Sequence, residues 1–151
     1  MKLLLVSLAV FSISVSAFAD FTGTWKGTGY VEYSSGAKKD QCVYELGLVE
    51  SPAVLKLNAF SRKCTGFSWS WTPSTFSIQN GVLTGIEAPD VNGTISARQI
   101  VLKYIEKGNK NHFSVTTFNR VADDQIDFRD EIYSLESPEH NAVFSGTFKR
   151  E

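Results

Sequence analysis

Asp20-Phe21-Thr22-Gly23-Thr24-Trp25-Lys26-Gly27-Thr28-Gly29-Tyr30-Val31-Glu32-Tyr33 is the run whose reading decides the fold. At period two, Phe21, Gly23, Trp25, Gly27, Gly29, Val31 and Tyr33 share one face, and Thr22, Thr24, Lys26, Thr28, Tyr30 and Glu32 share the other. One face is apolar or empty and the other mostly polar, as a barrel wall between core and water requires. Just before it, Met1-Lys2 supplies a positive charge, Leu3 to Val15 is an apolar run broken only by serines, and Ala17-x-Ala19 places small residues at a cleavage position. That is the layout of a secretory signal peptide, too short to span a bilayer comfortably. Cleavage near Ala19 leaves residues 20–151 as one domain, secreted or periplasmic, with no membrane insertion expected.

Downstream, the alternation continues and no helical period competes with it. A hairpin is expected around Glu50-Ser51-Pro52-Ala53; pairing Val49 with Val54 sets Leu48 opposite Leu55, Leu46 opposite Leu57 and Tyr44 opposite Ala59. Phe76–Gln79 and Val82–Thr84 flank Asn80-Gly81, whose two residues tolerate the positive φ of a tight hairpin turn. Thr94–Ile105, Phe113–Asn119, Gln125–Leu135 and Val143–Lys149 read as further strands, joined by turn-rich segments such as Ala122-Asp123-Asp124 and Gly108-Asn109-Lys110-Asn111. The ends resemble each other, Phe21-Thr-Gly-Thr-Trp25-Lys26 against Phe144-Ser-Gly-Thr-Phe148-Lys149. The expectation is an all-β, antiparallel up-and-down barrel of about 8–9 strands whose first and last strands pair, removing both edges.

Cys42 and Cys64 are the only cysteines, and export to an oxidising compartment makes a disulfide between them the default. The hairpin register leaves Cys42 opposite Ser61, with Cys64 on the wrong face. One extra residue between Asn58 and Lys63, a β-bulge, corrects both facing and distance. The chain carries 15 basic and 16 acidic residues, and the basic ones are scattered, with Lys38-Lys39 the only tight pair. A nucleic-acid ligand needs a dense basic face, so none is expected. Two Cys and two His (His112 and His140) lack metal-ligand spacing, so no metal is expected either. There is no Gly-x-Ser-x-Gly elbow and no His beside a nucleophile. Asp127, Arg129 and Glu131 alternate onto one face and read as a solvated wall, so the chain is not expected to be an enzyme. Asn92-Gly93-Thr94 matches a glycosylation acceptor, although Asn-Gly is first of all a turn signal.

Gly23-x-Trp25 near the start and Gly146-Thr-Phe148-Lys-Arg150 at the end resemble the opening and closing strands of the calycin superfamily, which includes the lipocalins. The resemblance implies a lipocalin-like barrel in which a basic residue, here Arg150, packs over Trp25. A weaker similarity, through Gly23-x-Trp25, Cys42, Cys64, Trp71-Thr-Pro73 and Asn80-Gly81-Val-Leu83, is to small bacterial proteinase inhibitors of calycin type. It implies an exported protein that binds a protein partner, although Trp25 follows the cleavage position too closely to leave their free N-terminal segment. The Gly-Thr-Trp-x-Gly-x-Gly opening is also similar to nitrobindin-like haem barrels. Only His112 and His140 could be axial ligands, and their polar turn contexts are explained by solvent, so no cofactor is expected.

Two features bear on binding. Gly27 and Gly29 on the inward face either leave room for a ligand or mark a bend or close approach in the wall. Phe67, Trp69 and Trp71 alternate in Gly66-Phe-Ser-Trp-Ser-Trp-Thr-Pro73, either as core or as a binding surface. The expected function is non-covalent binding of a small apolar or amphipathic molecule in the barrel mouth, contacted by Tyr33, Tyr44, Trp69 and Trp71. The alternative is a protein-binding inhibitor acting through rim loops. Exposed tryptophans outside any cavity favour the inhibitor, and a lined pocket favours the carrier.

Overall fold

The alternating segments become strands, and the turns fall where Gly, Asn, Pro and Ser allow them. The computed structural model describes residues 20–34, 39–105, 112–135 and 140–151, so residues 1–19, with the expected signal peptide, lie outside the described residues. Eleven strands are present among the described residues: β1 (Gly23–Tyr33), β2 (Lys39–Glu50), β3 (Val54–Cys64), β4 (Phe67–Ser70), β5 (Ser74–Gln79), β6 (Val82–Gly85), β7 (Asn92–Ile95), β8 (Gln99–Ile105), β9 (His112–Ala122), β10 (Gln125–Ser134) and β11 (His140–Arg150). All pairings are antiparallel, and β2 pairs with both β1 and β3. Ten strands thereby close into a barrel, while β4 is attached to β3 alone.

β1 and β11 pair along nine positions, from Trp25↔Arg150 to Tyr33↔Ala142, so the terminal strands do close the wall. They approach so closely at Gly27 and Gly29 that an added Cβ would collide with the carbonyls of Thr147 and Ser145. The inward glycines therefore serve close strand approach and leave no room for a ligand. Arg150 stacks over Trp25 with its guanidinium carbon 4.5 Å from the ring centre, as the calycin resemblance implies.

The strand count exceeds the expectation because Thr94–Ile105 breaks in two and Phe67–Ser70 forms a short strand of its own. Thr94–Ile105 is a hairpin, turned at Ala97-Arg98 with the Ser96 N–H donating to the Gln99 carbonyl at 2.8 Å. That turn has no Gly, Pro or Asn to announce it. Asn92-Gly93 begins β7 and is not a turn. By contrast Asn80 and Gly81 take φ of 51° and 77°, the two-residue turn their sequence requires.

The β2–β3 hairpin is tighter than expected. The Ser51 N–H donates to the Val54 carbonyl at 2.8 Å, leaving a two-residue loop of Pro52-Ala53, so Leu48 faces Leu57 and not Leu55. This two-residue shift keeps every side chain on its expected face. The predicted bulge is present: Gly47 faces Ala59 while Leu48 faces Leu57, so Asn58 is the extra residue. Beyond it Cys42 faces Cys64 and the two form a disulfide, with Cα atoms 4.0 Å apart. Closing a loop of 22 residues contributes on the order of 3 kcal/mol.

The barrel interior is filled. At one end Phe21, Trp25, Leu48, Leu55, Phe76, Leu83, Ile100 and Ile126 are buried. The segment before β1 crosses beneath them: the Phe21 N–H donates to Glu50 Oε2 at 3.1 Å, the Glu50 N–H to Thr22 Oγ1 at 2.9 Å, and Trp25 Nε1–H to the Phe21 carbonyl at 3.1 Å. Above this plug lies a mesh of rings: Phe60, Phe118, Phe128, Phe148 and Tyr44, with neighbouring centroids 5.1–6.4 Å apart. Each such fully buried ring stabilises the fold by roughly 1.5–3 kcal/mol. The mesh leaves the middle of the barrel solid.

Candidate functional site

The site arises where the ring of strands is incomplete. β3 offers one edge to two strands in turn, Val54–Leu57 to β5 and Ser61–Cys64 to β4. Between them Trp71-Thr72-Pro73 breaks the run, since proline cannot donate to a ladder. The Trp71 N–H still donates to the Phe60 carbonyl, at 2.7 Å. Across the opening, β7 pairs with β8 only up to Asn92↔Lys103, so Tyr104 and Ile105 extend past its end. No strand pairing joins β4 to this end of β8. The β6–β7 connection borders the opening, folded on itself by Gly85 N–H to Val91 carbonyl and Val91 N–H to Ala88 carbonyl bonds of 3.0 and 2.9 Å.

The result is a groove of about 390 Å³ in the barrel wall. Its apolar lining includes Trp69, Trp71, Pro73, Val91, Tyr104 and Ile105, and the exposed carboxylates Glu87 and Asp90 also border it. The Trp71 and Tyr104 rings meet across the gap at 4.4 Å, and Trp69 stands edge-on to Trp71 at 5.8 Å. Trp71 is held from behind by its Nε1–H donating to Ser74 Oγ at 3.2 Å, and both tryptophans rest on Phe60. Such an aromatic surface binds flat apolar molecules with little ordering cost.

Behind Trp69 the barrel holds a buried ion pair. Arg62 Nη1 donates to Asp130 Oδ2 at 2.7 Å, and Thr116 Oγ1 donates to Asp130 Oδ1 at 2.9 Å. The Arg62 guanidinium carbon lies 4.4 Å from the Trp69 ring centre and 3.8 Å from that of Phe144. Read from the sequence, Arg62 is unremarkable and Asp130 is only one of the carboxylates clustered at Asp123, Asp124, Asp127, Asp130 and Glu131. The signal was present: alternation with buried Phe60 and Phe128 carries both charges inward.

Of the four residues expected to contact a ligand, the fold brings Trp69 and Trp71 together in the groove, both half-buried. Tyr33 and Tyr44 do not line it. Tyr44 belongs to the solid core, where burial pushes its phenol far above the ordinary range and its hydroxyl donates to the Tyr30 carbonyl at 3.4 Å. Tyr33 is half-buried at the end of β1, opposite Ala142. Tyr104 joins the site without having been expected. On the outer wall, Arg129 pairs with Glu131 at 2.8 Å, as the alternation implied. His112 opens β9, and the side chain of His140 lies outside the described residues. No group of three metal-ligating side chains occurs among the described residues.

No family model matches this sequence, and no curated protein matches it. Among solved structures the fold is similar to that of a protein of unknown function from the DUF3598 family of Nostoc punctiforme, with TM-score 0.64, 14% identity, and 87% of this chain and 48% of that chain covered. The chain thus spans about half the length of that structure. It is also similar to the S-type phycobiliprotein lyase CPES from Guillardia theta, with TM-score 0.61, 6% identity, and 87% and 88% covered. At these identities the likeness is one of fold, and the protein is an antiparallel β-barrel of that general kind.

Proposed function

We propose that this protein is an exported barrel of calycin type that binds a small apolar or amphipathic molecule, without chemistry of its own. The observation that carries the reading is the groove between β4 and the end of β8, walled by Trp69, Trp71 and Tyr104. The ligand then sits in the side wall and not in the barrel mouth, because the aromatic mesh fills the interior. Trp69 and Trp71 are half-buried and face a common hollow, which favours the carrier over the inhibitor. The Cys42–Cys64 disulfide accords with export to an oxidising compartment.

The test is titration with the neutral fluorophore phenylnaphthylamine, read by energy transfer from tryptophan. Saturable binding is expected, with Trp71→Ala weakening it by about tenfold or more, as removal of a central aromatic anchor does. Tyr33→Ala, outside the groove, is expected to leave affinity unchanged. No saturable binding, or affinity insensitive to Trp71→Ala, refutes the reading.

A further inference from the structure

Among the described residues, two polar atoms buried in the upper barrel have no hydrogen-bond partner, Arg62 Nε and Ser114 Oγ. Their residues are 5% and 3% exposed. Protein interiors leave few such groups unpaired, and each calls for an explanation. Each adjoins a residue of the groove's aromatic wall. Arg62 faces Trp69 across the β3–β4 ladder, and Ser114 faces Tyr104 across the β8–β9 ladder. Trp69 and Tyr104 line the groove, and the two unsatisfied polar residues sit next to them on the same face of the wall, outside the groove's lining.

We propose that the groove and the two polar atoms beside its wall form one binding site for a flat, largely apolar molecule that carries a neutral hydrogen-bond acceptor, such as a ketone or amide carbonyl. This rests on the binding role proposed above and specifies its ligand class. The molecule's body lies against Trp69, Trp71 and Tyr104. Its acceptor reaches Arg62 Nε–H and Ser114 Oγ–H once one of the wall rings turns aside. The head group must accept, because an arginine Nε–H can only donate. It must be neutral, because the Arg62 charge is already matched by Asp130 at 2.7 Å. A carboxylate would add an uncompensated negative charge inside the barrel. Glu87 and Asp90 bordering the groove oppose an anion further. The volume of about 390 Å³ suits a molecule of three or so fused rings.

The rival account is that ordered water satisfies both atoms. Three compounds of one shape separate the two: fluorene, fluorenone and a fluorenone carboxylate, titrated by calorimetry into the disulfide-bonded protein. Fluorenone is expected to bind about tenfold more tightly than either of the others, the gain of a hydrogen bond from a charged donor. Ser114→Ala is expected to cut that advantage to about threefold or less while leaving the fluorene affinity unchanged and the thermal midpoint no lower, since it removes an unpaired buried hydroxyl. Equal affinity for fluorene and fluorenone points to water and overturns the proposal. So does a preference for the carboxylate, or a tenfold advantage that survives Ser114→Ala. If phenylnaphthylamine binds and none of the three compounds does, the acceptor site is refuted and the groove reading stands. If nothing binds, both fall.

Discussion

Replacing Asp130 by Asn removes one charge from the most deeply buried ion pair described in this barrel and changes almost nothing in shape. Arg62 and Asp130 expose 5% and 4% of their side chains, and their N–O separation is 2.7 Å. The Asn amide oxygen can still accept from Thr116 or from Arg62, but the guanidinium loses its counter-charge in a buried site. The rings of Trp69 and Phe144, at 4.4 and 3.8 Å, provide attraction that the native protein already has. Removing one partner of such a pair typically costs about 3–5 kcal/mol. The retained hydrogen bond places Asp130→Asn near 3 kcal/mol, at the low end of that range. For a domain stable by about 5–15 kcal/mol this is a large share. Replacing both partners, Arg62→Met with Asp130→Leu, removes the desolvated charges together. The double variant is expected within about 1–2 kcal/mol of the native protein, the residual cost being the Thr116 hydroxyl left without its acceptor. Equilibrium unfolding in urea, followed by tryptophan fluorescence with the disulfide intact, measures all of these. An Asp130→Asn cost under about 1 kcal/mol, or a double variant as unstable as the separate Arg62→Met and Asp130→Leu losses added, would refute the claim that the pair is dry and mutually dependent.

Two further outcomes follow from the closed end and from the strand junction. Burial raises the Glu50 carboxyl above its ordinary 4.5, outweighing the Phe21 N–H that favours the anion. The folded state therefore holds the Glu50 proton to higher pH than the unfolded chain, so this group's contribution favours folding at acid pH and is lost as pH rises through the raised value. Glu50→Gln is expected to flatten that part of the stability–pH curve, and an unaltered slope above pH 4.5 in urea unfolding counts against it. Gly29→Ala drives a Cβ onto the Ser145 carbonyl and must spread β1 from β11. A cost of about 2–3 kcal/mol, roughly 6–12 °C in thermal midpoint, is expected. Gly66→Ala, at φ 89° with open space around it, is expected to cost only about 1–2 kcal/mol of backbone strain. Equal losses at the two positions would show that the β1–β11 contact is not the constraint.

Much of the barrel is written in short-range pattern. The alternation from Phe21 to Tyr33 specifies β1, Asn80-Gly81 specifies its turn, and the matching ends anticipate the β1–β11 pairing. Even the bulge at Asn58 is legible, because two cysteines bound for one disulfide cannot otherwise share a face. The misses are also local in origin. Ser96-Ala97-Arg98-Gln99 turns on Ser96 alone, whose hydroxyl accepts from the Arg98 N–H at 3.4 Å, with no Gly, Pro or Asn beside it, so β7 and β8 read as one strand. Ser51 and Val54 close the hairpin two residues tighter than Val49 and Val54 would, a choice that conserves facing and so leaves no trace in the hydrophobic pattern.

The sequence by itself determined the class of fold, the inward and outward sides of nearly every strand, and the partners Cys42–Cys64, while Arg150 over Trp25 was implied by the calycin resemblance. Those properties depend on period two and on a few chemically distinctive residues, which any reader of the chain can see. Only the tertiary structure decided that the inward glycines are filled by a neighbouring strand, that the core is solid, and that the wall opens between β4 and β8. It also decided that Arg62 meets Asp130 across 68 positions of sequence, and that Trp71 meets Tyr104. Period two assigns a side chain to a face, but not to a neighbour. Neighbours are set by the register accumulated around the whole ring and by where proline interrupts it, so the site came into being only when the barrel closed.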